Sequence, residues 1–139
     1  MTIRIIDRSK YFKGLLLLIR QDRKVTETEK KLMMRIGKSL GFEREFCINV
    51  IHEILDNVHI SDEIPEFSSK ELAKKFIRDG LAIAVSDVEV HPDEEKWLRT
   101  AAERNGLDID WFMEELSKAS LRKELPGILE VESLSVKHS

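Results

Sequence analysis

Apolar residues recur every three to four positions along most of the chain, the spacing that places them on one side of an α-helix. The ranges 9–21 and 69–86 follow this spacing and predict two long helices. The positions that show this spacing in the second range include Leu72, Phe76, Ile77, Gly80 and Ala84. Two further helices are predicted over 43–56 and 108–123, with apolar stripes formed by Phe46, Cys47, Val50, Ile51, Ile54 and Leu55 and by Trp111, Phe112, Leu116 and Ala119. Only a weak alternation at 129–136 suggests a strand, so the pattern predicts an all-α fold.

Local start and stop signals predict two more helices and sharpen the ends of others. Residues 26–29 read Thr-Glu-Thr-Glu, a capping box in which Thr26 and Glu29 satisfy each other's backbone amides. Residues 91–94 place a proline at the first helical position, followed by acids in the first turn. Both helices should end at a glycine, Gly41 and Gly106, and Ser68 is a plausible N-cap for the helix 69–86.

The sequence resembles itself when it is shifted by 65 positions. The matched pairs are Tyr11 and Phe76, Leu18 and Ile83, Asp22 and Asp87, Val25 and Val90, Glu29 and Glu94, Met33 and Leu98, Gly41 and Gly106, Phe46 and Trp111, and Cys47 and Phe112. We therefore predict a helical bundle made of two three-helix units within a single domain, 1–139. The units cover about 3–56 and 68–123, with a linker at 57–67 and a C-terminal tail at 124–139.

Size and composition indicate one ordinary globular domain. The chain has 139 residues, of which 35% are charged, and it contains three prolines, which argues against disorder. Cys47 is the single cysteine, so disulfide scaffolds and thiolate metal sites are excluded and a reducing cytoplasm is expected. The apolar run 15–19 is far too short to span a bilayer, and Asp7 argues against a signal peptide.

The net charge of −3 conceals an asymmetry between the two halves of the chain. Residues 1–60 carry 12 basic and 8 acidic side chains, a balance of +4, whereas residues 61–139 carry 11 and 18, a balance of −7. The basic residues of the first half are dispersed among acids, so we expect no nucleic-acid partner.

The pattern Asp, two residues, Val, three residues, Glu occurs in both turns between the first and second helices of each unit. It comprises Asp22, Val25 and Glu29 in one copy and Asp87, Val90 and Glu94 in the other. Paired carboxylates so placed could hold a hard divalent cation, Ca²⁺, Mg²⁺ or Mn²⁺ rather than Zn²⁺. The second copy adds further candidate ligands, Glu89, His91 and Asp93.

Helix capping is the alternative interpretation of these acids, because carboxylates stabilise a helix N-terminus without any ligand. An EF-hand is excluded, since Pro92 and Leu98 occupy the positions that need glycine and a bidentate Glu.

These turns resemble the signature of the TerB-like tellurite-resistance family, whose turn reads like Ala-Asp-Gly followed by a hydrophobic residue and a Glu. The resemblance covers nearly the whole chain, and Arg23 and Val88 stand where the family has glycine. It implies a helical, cytoplasmic, non-enzymatic domain of bacterial stress systems that chelates metal or acts as an adaptor near the membrane. Capture of an oxyanion by clustered carboxylates is electrostatically unfavourable, so any link to tellurite should be indirect.

Other candidate sites are weaker. His52, Asp56 and His59 share a helical face and could bind Zn²⁺, or the histidines could complement a helix C-terminus. Cys47, Trp97, Trp111 and the Met33-Met34 pair are expected in the core, and no phosphate loop or nucleophile motif points to an enzyme.

Two functions from different classes remain open. The first is a metal-binding stress-response domain. The second is an adaptor that binds a protein partner, a membrane-bound partner or a second copy through its acidic half and its tail. The tail itself either folds back over the bundle or docks onto such a partner.

Overall fold

A computed structural model shows that the chain is an all-α helical bundle. It describes residues 4–21, 26–56, 63–86, 91–122 and 129–133, and these contain no strand. The helices are α1 Ile5–Arg20, α2 Glu27–Ser39, α3 Arg44–Asp56, α4 Lys70–Ser86, α5 Pro92–Arg104 and α6 Ile109–Arg122, followed by a 3₁₀ turn, Glu130–Ser133. None of these helices is both long and apolar enough to cross a membrane.

The helix termini follow the predicted local signals with one exception. Gly41 and Gly106 lie two residues after the ends of α2 and α5 and adopt φ of 85° and 71°, a conformation that favours glycine. The N-cap of α4 is Ser69, whose hydroxyl accepts a hydrogen bond from the Leu72 amide. The prediction of Ser68 was wrong because its hydroxyl and amide both donate to the buried carboxylate of Asp7.

Each helix of the second half starts 65 residues after its counterpart in the first half, which is the offset found in the sequence. Helices α1 and α4 begin at residues 5 and 70, α2 and α5 at 27 and 92, and α3 and α6 at 44 and 109. Helix α1 begins four residues before the predicted position 9. The pattern missed this first turn because Ile5 and Ile6 are exposed and do not belong to the buried apolar stripe.

Helices α1 and α4 form the centre of the bundle. Helix α1 packs against α2 and α3, α4 packs against α5 and α6, and the two central helices contact each other. Tyr11 and Phe76 are fully buried at this junction. Tyr11 and Phe76 meet edge to face, with ring centroids 5.3 Å apart.

Most of the predicted core residues are buried, including Met33, Trp97 and Cys47. Burial also raises the pKa of the Cys47 thiol, which is consistent with an unreactive side chain. Phe46 was wrongly assigned to the core and is 40% exposed.

Met34 and Trp111 are only half-buried, at the edge of the core rather than inside it. Lys74 and Arg78 of α4 approach the Trp111 ring, at 5.5 and 5.6 Å from its centroid.

The C-terminal segment folds back over the bundle. Residues 130–133 form a 3₁₀ turn instead of the weakly predicted strand, and this turn contacts α4 and α2. The side chains of Leu129 and Val131 are buried, so this part of the tail belongs to the core of its own chain. Residues 123–128 and 134–139 lie outside the described part of the tail.

Candidate functional site

The first acidic turn is described only on its C-terminal side. Asp22 and Val25 lie outside the described residues. Glu29 is buried, and its Oε1 accepts hydrogen bonds from the Thr26 amide at 3.0 Å and the Thr26 hydroxyl at 3.1 Å. The Glu29 amide in turn donates to Thr26 Oγ1 at 3.1 Å, so the predicted capping box is confirmed.

In the second acidic turn, Asp87, Glu89 and Val90 lie outside the described residues. His91 is the N-cap of α5, and its Nδ1 accepts a hydrogen bond of 3.1 Å from the Asp93 amide. Nδ1 also lies 3.8 Å from Asp93 Oδ2.

Glu94 is only 2% exposed. The structure therefore brings His91 and Asp93 together at the surface, while Glu94 is buried in the first turn of α5.

Carboxylate oxygens suit a hard cation, but the described residues contain no group of three His, Cys, Asp or Glu side chains placed to hold one. A cation at the second turn would need Asp87 or Glu89 in addition to Glu94. The second candidate metal site is likewise incomplete: His52 Nδ1 lies 3.1 Å from Asp56 Oδ2 on an exposed face, and His59 falls outside the described residues.

A groove of about 470 Å³ lies between α2 and α3. Its apolar part is formed by Met34, Phe42 and Cys47, and its basic part by Arg35, Lys38 and Arg44. Neither the apolar periodicity nor the repeat predicted this groove. The signal that could have found it is the pair Met34 and Lys38, an apolar and a basic side chain four residues apart and therefore on one face of α2, with Arg35 next to Met34 in the sequence.

The groove lies in the first half of the chain. The residues 65 positions later are of different types, which explains why the groove is not repeated in the same form. Cys47 corresponds to the larger Phe112, and the flexible apolar Met34 corresponds to the charged Arg99. Gly37 also brings α2 close to α3, because a Cβ added there would lie 2.4 Å from Cys47 Sγ.

The three basic side chains of the groove differ in whether they form ion pairs. Arg35 pairs with Glu132 of the C-terminal turn through two contacts, one of them 2.8 Å between Arg35 Nε and Glu132 Oε2. The guanidinium lowers the pKa of Glu132, and the carboxylate raises that of Arg35. Lys38 and Arg44 form no ion pair with any residue in the described ranges. Two cations without an ion pair in these ranges therefore border the apolar part of the groove, which we call its floor.

A buried carboxylate that sequence analysis missed holds the C-terminal turn in place. Asp79 is 1% exposed and accepts hydrogen bonds from Tyr11 Oη at 2.5 Å and from the amides of Glu130 and Val131 at 2.7 and 2.9 Å. Burial raises the pKa of Asp79 from 3.8 to about 6, although these three donors act in the opposite direction. The signal in the sequence is its place on the apolar stripe of α4, three residues after Phe76.

Asp79 does not line the groove, but it fixes the segment that neutralises one of the groove's cations. By fixing the backbone of Glu130 and Val131, it places Glu132 beside Arg35. Glu132 also accepts a hydrogen bond of 2.8 Å from the Leu129 amide, which stabilises the turn locally.

The N-terminal half of α6 presents a second amphipathic surface. Ile109 and Met113 are 40% and 41% exposed, although both are large apolar side chains. Exposed Asp110 and Glu114 lie beside them on the helix. Glu114 forms a solvent-exposed ion pair of 3.4 Å with Lys118, one turn further along. We call the residues Ile109, Asp110, Met113 and Glu114 the α6 face.

No protein-family model matches this chain, and no curated protein or solved structure is significantly similar to it. The TerB-like family therefore stays a prediction from the two acidic turns. The function has to be argued from the surfaces described above.

Proposed function

We propose that this chain is a non-enzymatic interaction module that binds an acidic amphipathic helix of a protein partner in the groove between α2 and α3. The observation that carries the proposal is the combination of an apolar floor, formed by Met34, Phe42 and Cys47, with two cations, Lys38 and Arg44, that form no ion pair with a described residue.

An amphipathic helix is the partner that such a groove fits best. Apolar side chains spaced three or four residues apart can occupy the floor, and carboxylates on the flanks of the same helix can meet the cations. Burial of the apolar side chains supplies most of the affinity. The charges mainly select the partner and accelerate association, so binding should weaken as salt is added.

An adaptor role is one of the two activities that the TerB-like resemblance implies. Under this proposal the chain acts in the cytoplasm in a bacterial stress response, and its partner could itself be attached to a membrane. The resemblance and the groove are independent arguments, because none of the groove residues belongs to the two acidic turns that suggest the family.

The test uses a labelled synthetic peptide of about 18 residues with leucines at helical spacing and glutamates between them. Fluorescence anisotropy should show saturable binding to the wild-type protein that weakens as sodium chloride rises from about 50 to about 500 mM. The double substitution Lys38→Glu with Arg44→Glu should weaken binding at least about tenfold, because it reverses both cations that face the carboxylates.

The matched control reverses two exposed cations outside both surfaces, Lys13 and Lys96, and changes the net charge by the same amount. It should change the affinity less than about twofold, because distant surface charges are screened. Equal weakening by the two double variants, or no binding to the wild type, would contradict the proposal.

A second candidate function is binding of a divalent cation at the second acidic turn. It is favoured by the burial of Glu94, which is 2% exposed and follows the segment that contains Asp87 and Glu89. A bound cation would supply positive charge beside these carboxylates, and Asp87 and Glu94 would be its principal ligands.

Calorimetric titration of chelator-treated protein with Ca²⁺, Mn²⁺ and Zn²⁺ tests this candidate. One equivalent of binding that is lost in the folded double variant Asp87→Asn with Glu94→Gln would support it. No heat and no thermal stabilisation with any of the three ions would restrict Glu29 and Glu94 to helix capping.

A further inference from the structure

The α6 face has the chemistry that the groove requires of its partner. Ile109 and Met113 are one helical turn apart, about 6 Å along the axis, and Asp110 and Glu114 form a parallel acidic row beside them. All four side chains are exposed in the described structure. The chain thus carries both an acidic amphipathic helix and a groove with an apolar floor and a basic border.

We infer that the groove between α2 and α3 binds the α6 face of a second copy of this chain. The inference rests on the proposed function of the groove and names its partner. Ile109 and Met113 of one copy would cover Met34 and Phe42 of the next copy.

The polar contacts complete the match. Asp110 and Glu114 of one copy would face Lys38 and Arg44 of the next. Two cations that have no ion pair among the described residues of their own chain would then gain one in the assembly.

The charge of the whole chain favours the same arrangement. The groove lies in the half with a balance of +4, and the α6 face lies in the half with a balance of −7. Contact between unlike halves is attractive at long range, whereas a symmetric contact of groove against groove would bring like charges together.

A contact between two different surfaces is heterologous. Each copy that uses its groove still has an unoccupied α6 face, so association continues head to tail until a ring closes or the chains dissociate. The mass in solution should therefore rise with concentration and fall with salt, and it stops at a dimer only where the ring that closes contains two chains.

Sedimentation velocity of the full chain tests the inference over about 5 to 500 µM protein. The wild type should exceed its monomer mass of 16.2 kDa increasingly as its concentration rises. The groove variant, Lys38→Glu with Arg44→Glu, and the helix variant, Asp110→Lys with Glu114→Lys, should each remain monomeric. The control variant, Lys13→Glu with Lys96→Glu, should associate as the wild type does.

An equimolar mixture of the groove variant and the helix variant provides the decisive result. The first retains an intact α6 face and the second an intact groove, and their two reversed surfaces are again oppositely charged, so the mixture should regain the association that each variant alone has lost. Circular dichroism melting of each variant verifies that it is folded before it is mixed.

The inference is overturned if the wild type stays monomeric over the whole range, if the groove variant associates like the wild type, or if the mixture stays monomeric. If the synthetic acidic peptide still binds the groove in these cases, the proposed function stands and only its partner is wrong. If the peptide also fails to bind, both are wrong.

Discussion

The phenol of Tyr11 donates a hydrogen bond of 2.5 Å to the carboxylate of Asp79, and this contact joins α1 of the first half to α4 of the second. The same carboxylate accepts hydrogen bonds from two amides of the C-terminal turn. One buried group therefore connects both halves of the bundle and the end of the chain. Burial of the Tyr11 phenol raises its pKa well above its usual value, and the negative charge of Asp79 adds to the increase.

Replacement of Asp79 by Asn should make the stability difference from the wild type depend on pH. Folded Asp79 keeps its proton up to about pH 6, whereas the unfolded chain releases it near 3.8. The folded state thus binds more protons between these values, and the contribution of Asp79 is greatest below pH 3.8 and declines as the pH rises through 6. The free energy of unfolding of the wild type minus that of the variant should fall by about 2 kcal/mol from about pH 4 to about pH 8.

Urea denaturation of both proteins across this pH range measures the difference. The other ionisable groups are common to the two proteins, so their contributions cancel. A difference that stays constant with pH would show that folding leaves the pKa of Asp79 unchanged, and one that grows as the pH rises would show that folding lowers it; either result contradicts the prediction.

Truncation before Leu129 should destabilise the bundle severely. It removes two buried side chains, Leu129 and Val131, and two of the hydrogen-bond donors to Asp79. We expect a loss of at least about 3 kcal/mol in the free energy of unfolding. Truncation after Ser133 is the control, because it keeps every described contact of the turn. Equal stability of the two truncated proteins in thermal melts would refute the anchoring role of the turn.

Substitution of Gly37 by Ala should destabilise the contact between α2 and α3. The added Cβ would lie 2.4 Å from Cys47 Sγ and 3.0 Å from the Phe12 ring, so one of the two helices must move. We expect a net loss of about 1–2 kcal/mol, since overpacking exceeds the gain in helix propensity. The double variant with Cys47→Ala should lose less than the sum of the single variants, because the clashing sulfur is absent. Additive losses in chemical denaturation would rule out this clash.

Replacement of Thr26 by Ala should cost about 1 kcal/mol of stability, because the Glu29 amide loses its acceptor and the Glu29 carboxylate loses one of its donors. Thr28→Ala, an exposed substitution in the first turn of α2, is the matched control and should be nearly neutral. Chemical denaturation of both variants compares them. A loss at Thr28 as large as that at Thr26 would contradict the capping role, because alanine is the better helix former and Thr28 makes no capping contact in the described structure.

One prediction about the acidic turns is confirmed, and another stays a prediction. The capping box at Thr26 and Glu29 was predicted correctly because its partners are three residues apart and need only local backbone geometry. Binding of a cation by Asp87 and Glu94 stays a prediction, because Asp87 lies outside the described residues.

The amino-acid sequence alone determined the helices, the glycines that end α2 and α5 and most of the core, since these depend on periodicity and on interactions within a few residues. The tertiary structure alone decided that Phe46 is exposed, that Asp79 is buried against Tyr11 and that Glu132 lies beside Arg35. Asp79 and Tyr11 are 68 positions apart, and Arg35 and Glu132 are 97 apart. No local pattern records such contacts, because they form only when the helices pack and the C-terminal turn closes over them.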